Sequence, residues 1–175
     1  GIKQMLENLS LERIFNSITN WFTKDRKRIL LITFIVGLLV HFELISKELL
    51  AYDGYWHYGT MLAKGWEISL GRFLIPFSDM FRGSVVVSIL TTALSLIAIG
   101  FASIFLIETL KIKKTYLKIA ISILMVVTPT ISLTFMYAYT AFGYSLALLV
   151  SVLSVYFLNK AKNKKNIILS IICIV

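Results

Sequence analysis

From Ile119 to Asn159 the chain carries no Asp, Glu, Lys or Arg. A single helix of that length would be about 60 Å long, roughly twice the thickness of a bilayer's hydrocarbon core. The run must therefore fold back as two spans joined by a tight turn. That turn is expected between Thr128 and Gly143, where Pro129, Gly143 and the rings of Tyr137, Tyr139 and Tyr144 gather, tyrosines being suited to a membrane interface. Other uncharged runs lie on either side, and the spans are expected at about 29–45, 85–108, 118–136 and 142–159, with 167–175 as a truncated fifth. Only 15% of the 175 residues are charged, against roughly a quarter in a soluble domain. The expected fold class is all-α, a polytopic transmembrane helical bundle, with short juxtamembrane helices in the loop 46–84. The chain opens on Gly1 and closes on "NIILSIICIV", about half a span, and is expected to be the N-terminal part of a longer protein.

Charge placement sets the expected orientation. Lys24, Arg26, Lys27 and Arg28 precede the first span, Lys111, Lys113, Lys114 and Lys118 follow the second, and Lys160, Lys162, Lys164 and Lys165 follow the fourth. If the spans alternate, all three clusters fall on one side, which the positive-inside rule makes cytoplasmic. The net charge of +9 is thus accounted for by membrane topology, and nucleic acid is not an expected partner. The protein is expected in the cytoplasmic membrane, with its N-terminus cytoplasmic and the loop 46–84 outside. The sole cysteine, Cys173, has no partner for a disulfide. Residues 1–28 form a cytoplasmic amphipathic segment, with Ile2, Met5, Leu6, Leu9, Ile14, Phe15, Ile18, Trp21 and Phe22 near helical spacing. It either lies on the inner leaflet or packs on the protein's own cytoplasmic face.

The loop 46–84 is long for a connector and holds the densest polar and aromatic patch of the chain, "ELLAYDGYWHYGTMLAKGW" followed by "EISLGRFLIP". Tyr52, Tyr55, Trp56, Tyr58 and Trp66 suit the headgroup level, and such rings also suit the apolar faces of sugars. Asp53 sits among these rings. Partial desolvation there would prepare it as a base, while an Asp ahead of a short helix is also an ordinary N-cap. His57, four residues on, shares a helical face with Asp53, but two ligands do not make a metal site. Arg72 suits bidentate phosphate binding, with Gly71 beside it permitting close approach; it equally suits a snorkelling lipid anchor. His41 is expected to be buried or interfacial.

Taken together, a first span, an outer loop with an acid near its start, and "KGWEISLGRFLIP" with Trp66, Ser69, Gly71, Arg72 and Phe73 resemble the bacterial and phage glucosyltransferase family of the Gtr type, which decorates O-antigen and other surface glycans. The stretch "TPTISLTFMYAYTAFGYSLALLVSVLSVYFL" is similar to that family's third and fourth spans. The resemblance implies a GT-C-like hexosyltransferase that takes sugar, glucose by this likeness, from a polyprenyl-phosphate carrier in the membrane and passes it to a surface glycan. It implies Asp53 as the catalytic carboxylate and Arg72, Trp56, His57, Trp66 and Gly71 as substrate-binding residues. The family often shows a pair of acids where this chain has Asp53-Gly54, so a divalent metal is not supported. No other cofactor is implied beyond the lipid-linked donor. The alternatives are a transporter or flippase component, against which the uncharged second, third and fourth spans count, and a non-catalytic membrane scaffold.

Overall fold

The computed structural model describes residues 2–47, 68–72, 76, 80, 87–161 and 164–173. These residues form seven helices: α1 (Ile2–Trp21), α2 (Lys24–Ser46), α3 (Ser88–Thr109), α4 (Thr115–Val127), α5 (Pro129–Phe135), α6 (Ala138–Asn159) and α7 (Lys164–Ile172). Three of them, α2, α3 and α6, are long and apolar enough to cross a membrane, and α4 with α5 makes a fourth, bent by 45°. Leu31, Ile35, Leu39, Phe42, Ile89, Ile97 and Val155 are exposed around the perimeter, as residues that face lipid rather than water should be.

Helix α3 is the centre of the bundle, packed on α2, α4 and, most extensively, α6. Its buried surface sets small and hydroxylated side chains, Thr91, Thr92, Ser95, Ala98, Ala102 and Ser103, among Leu96, Ile99, Ile104 and Ile107. Between membrane helices there is no hydrophobic gain on association, so close approach of backbones has to supply the attraction. Two of these hydroxyls bond within the helix: Ser95 Oγ donates to the Thr91 carbonyl at 2.7 Å and Ser103 Oγ to that of Ile99 at 2.9 Å. At the α2–α3 crossing the fit is reciprocal. Leu96 of α3 fills the space over Gly37, where a Cβ would meet its Cδ2 at 2.3 Å; Leu30 of α2 does the same over Gly100, at 2.9 Å. Helix α7 is tied to α6 by a two-way bond in which Ser154 Oγ donates to the Ser170 carbonyl at 3.1 Å and Ser170 Oγ to that of Ser154 at 3.0 Å.

The helix ends show why the boundaries fall where they do. α2 starts at Lys24, ahead of the expected apolar onset, because the Thr23 side chain accepts from the Arg26 N–H at 3.4 Å. α3 ends in a Schellman-type turn: Ile112 N–H donates to Ile107 O at 3.1 Å, Lys111 N–H to Glu108 O at 3.1 Å, and Lys111 takes the left-handed φ of 54°. Ile112 packs against the cluster that contains Ile107, the apolar contact that accompanies such a cap.

The third span is broken at Thr128. Pro129 has no N–H to offer the preceding turn, and the chain bends there into α5 rather than reversing. The reversal comes later, at Met136 and Tyr137, and α6 starts at Ala138 with Gly143 inside it. The bend frees the Val126 carbonyl, which in a continuous helix would accept from Thr130. His41 of α2, only 2% exposed, takes that place: its Nε2 lies 2.8 Å from Val126 O, with Ser132 Oγ 3.4 Å from Nδ1 and the Phe135 ring edge-on at 4.8 Å. A carbonyl only accepts, so Nε2 carries the proton and Nδ1 is left as the acceptor for Ser132.

Two outcomes follow for purified protein in detergent. Gly37→Leu should destabilise by about 1–3 kcal/mol through overpacking, and Leu96→Ala in the same chain should recover part of the loss; thermal melts of the two single variants and the double variant measure this. His41→Leu leaves the Val126 carbonyl without a donor and should cost about 1–3 kcal/mol, whereas His41→Gln, which keeps an N–H, should melt between that variant and the parent.

Candidate functional site

The two ends of the bundle differ in chemistry. At one end α1 meets α2, α3 turns into α4, and α6 finishes. Arg26 lies at its centre: its Nε and a terminal nitrogen reach Glu108 Oε1 at 2.8 and 2.6 Å, its other terminal nitrogen donates to the Trp21 carbonyl at 2.6 Å, and its guanidinium carbon stands 4.4 Å from the centre of the Trp21 ring. Tyr156 donates to the other Glu108 oxygen at 3.2 Å and itself accepts from Lys160. Lys118 pairs with Asp25 at 2.7 Å. Glu108 stands in the last turn of α3, where the helix dipole disfavours an anion, so these donors compensate for its position. Both acids are thus neutralised internally, while Lys24, Lys27, Arg28, Lys111, Lys113 and Lys114 remain exposed. The free charge of this end is positive.

At the other end α2 finishes, α3 begins and the α4–α5–α6 reversal closes over them; the chain between Lys47 and Val87 extends from here. Among the described residues its charges are few. Glu43 and Lys47 pair with each other on the α2 surface at 2.5 Å, both exposed, a contact that contributes little. Beneath the surface the end is lined with polar groups: His41, Ser88, Thr91 and Thr140 are buried. Thr91 Oγ1 donates to the Val87 carbonyl at 2.6 Å, and Ser88 Oγ has no hydrogen-bond partner among the described residues.

Of the six site residues expected from the sequence, Asp53, Trp56, His57 and Trp66 lie outside the described residues. Gly71 and Arg72 lie within them. Residues 68–71 make one helical turn, closed by Gly71 N–H donating to Ile68 O at 2.9 Å, and Gly71 takes φ +82°. That is the left-handed C-terminal position at which a side chain is strained. Among the described residues nothing lies within 4 Å of where a Cβ would sit, so the glycine is required here by conformation rather than by close packing. Arg72 leaves the turn exposed, and a guanidinium's five N–H donors suit an anion. Among the described residues no three His, Cys, Asp or Glu side chains converge as metal ligands.

Sequence reading placed His41 as buried or interfacial and stopped there. Its tie to the Val126 carbonyl is a pairing across 85 positions, and the available signal was a histidine in an apolar span together with a proline in another. The same holds for Arg26, read only as one of a basic cluster.

No curated protein and no solved structure matches the chain. The family model for Glucosyl transferase GtrII matches residues 44–175. That match opens in the last turn of α2, takes in the whole polar segment and continues through α3, α4, α5, α6 and α7. With several membrane-spanning helices and a match over most of its length, the chain belongs to the Glucosyl transferase GtrII family.

Proposed function

We propose that the protein transfers glucose from a polyprenyl-phosphate carrier to a surface glycan at the extracytoplasmic face of the cytoplasmic membrane. The observation that carries this reading is the family match from residue 44 onward, which includes the segment between α2 and α3. Two features support the placement of the chemistry. The positively charged end, where α1 meets α2, is the one the positive-inside rule assigns to the cytoplasm, and the segment with Asp53 and Arg72 leaves from the opposite end. A donor whose tail stays in hydrocarbon and whose sugar sits in water has to be met at that boundary.

In the proposed reaction Asp53 takes the proton of the acceptor hydroxyl as its oxygen forms the new bond to the sugar's anomeric carbon. The bond from that carbon to the phosphate oxygen breaks, and the carrier phosphate departs with the electron pair. Arg72 pairs with the departing phosphate, whose charge grows as the bond breaks. Trp56 and Trp66 stack on the sugar, His57 hydrogen-bonds to it, and Gly71 sets the turn from which Arg72 projects.

The test is sugar transfer by the protein in proteoliposomes supplied with polyprenyl-phosphate glucose, radiolabelled in the sugar, and a lipopolysaccharide acceptor. Asp53→Asn should lower the rate about 10²- to 10⁴-fold with unchanged expression and melting temperature. Arg72→Ala should lower it about 10²-fold, and Arg72→Lys should recover a part, since it returns the charge without the planar fork. Undiminished transfer by Asp53→Asn removes that residue from the role of base. If the parent protein neither transfers nor releases sugar from any polyprenyl-phosphate hexose, the reading fails.

A further inference from the structure

Helix α1 carries an apolar stripe that the bundle does not cover. Ile14, Phe15 and Ile18 are 56%, 70% and 52% exposed. At about 100° per residue, Ile14, Ile18 and Trp21 fall along one line of the helix with Phe15 beside it, while Glu12, Arg13, Asn16 and Asn20 take the opposite face.

The stripe continues onto the bundle. Trp21 stacks with Phe101 and Phe105 of α3 at 5.8 and 5.9 Å, and Phe22 meets Phe101 at 6.4 Å. Ile18, Trp21, Phe22, Phe101 and Phe105 line one hollow, and Phe22 and Phe101 also wall the next, which runs along Leu30, Leu31 and Phe34 of α2. The exposed face of α1 is therefore continuous with the apolar perimeter of helices that cross a membrane, and that perimeter is covered by lipid. The angle between α1 and α2 is held by Arg26, through the Trp21 ring and carbonyl. Around the elbow stand the exposed cations Lys24, Lys27 and Arg28, while the neighbouring acids Asp25 and Glu108 are already paired. An apolar stripe at the base of a span, bordered by unpaired cations, fits an anionic leaflet.

We propose that α1 lies along the membrane surface with Ile14, Phe15 and Ile18 among the acyl chains, held by anionic phospholipid headgroups at Lys24, Lys27 and Arg28. The test uses the full chain with Cys173→Ala, carrying a bimane label at Phe15→Cys or at Asn16→Cys, in nanodiscs of phosphatidylcholine with or without phosphatidylglycerol. Doxyl-labelled lipid should quench the label at position 15 about three-fold more than that at position 16, while aqueous iodide should do the reverse. Omitting phosphatidylglycerol should reduce the lipid quenching at position 15. Iodide access at both positions overturns the proposal. Shielding of position 15 from iodide and doxyl lipid alike also overturns it, since a protein segment then covers the stripe. Equal lipid quenching in both kinds of nanodisc overturns the part given to the cations.

Discussion

A carbonyl freed inside hydrocarbon has no water to turn to, and the placement of everything at the loop end of this bundle depends on how one such group is satisfied. Pro129 breaks the third span, the bend of 45° releases the Val126 carbonyl, and His41 reaches across from α2 to bond it. The bond does more than compensate a broken helix. It fixes α4 against α2 at the height of the break, and Phe135, edge-on to the same imidazole, carries the constraint into α5 and the turn at Met136 and Tyr137. With that reversal placed, α6 returns alongside α3 in the same direction, so that Glu108 and Tyr156 meet at the far end.

The two ends of the bundle differ in how they hold charge and polar groups. One collects cations and holds Asp25 and Glu108 in ion pairs, which leaves an excess of exposed positive charge. The other keeps buried hydroxyls and an imidazole at the end where α2 finishes and α3 begins. The interior between them joins large apolar side chains, Leu96, Ile99, Ile104, Val126 and Phe135, to glycine, serine, threonine and alanine, which let α3 come close to its neighbours without charge in that interior.

How much of this was legible in the sequence follows from the range of each signal. The spans α2, α3 and α6 announce themselves as uncharged runs, because the bilayer imposes a length and a polarity that a local window can read. Pro129 was visible as an interruption, but a kink and a reversal look alike locally. What decides between them is the donor on another helix, His41, far away in the chain. The Gly37–Leu96 and Gly100–Leu30 fits are invisible for the same reason. At Gly71 the residue type pointed to a special position, and the backbone angle shows which kind. Of the site residues, Trp66 rested on the likeness of a short motif and Asp53, Trp56 and His57 on their place in the loop before it, since an acid or a ring at a membrane boundary has several ordinary uses that pattern alone does not separate.

Arg26 has one guanidinium and three obligations: the Trp21 ring, the Trp21 carbonyl and the Glu108 carboxylate. The tilt of α1 and the rotation of the last turn of α3 are consequently not independent coordinates. A twist of α3 that drew Glu108 away would have to drag the elbow with it or surrender the contact. α3 begins just beyond the polar segment and carries Glu108 in its last turn, so this side chain ties the elbow to the helix that leads away from that segment.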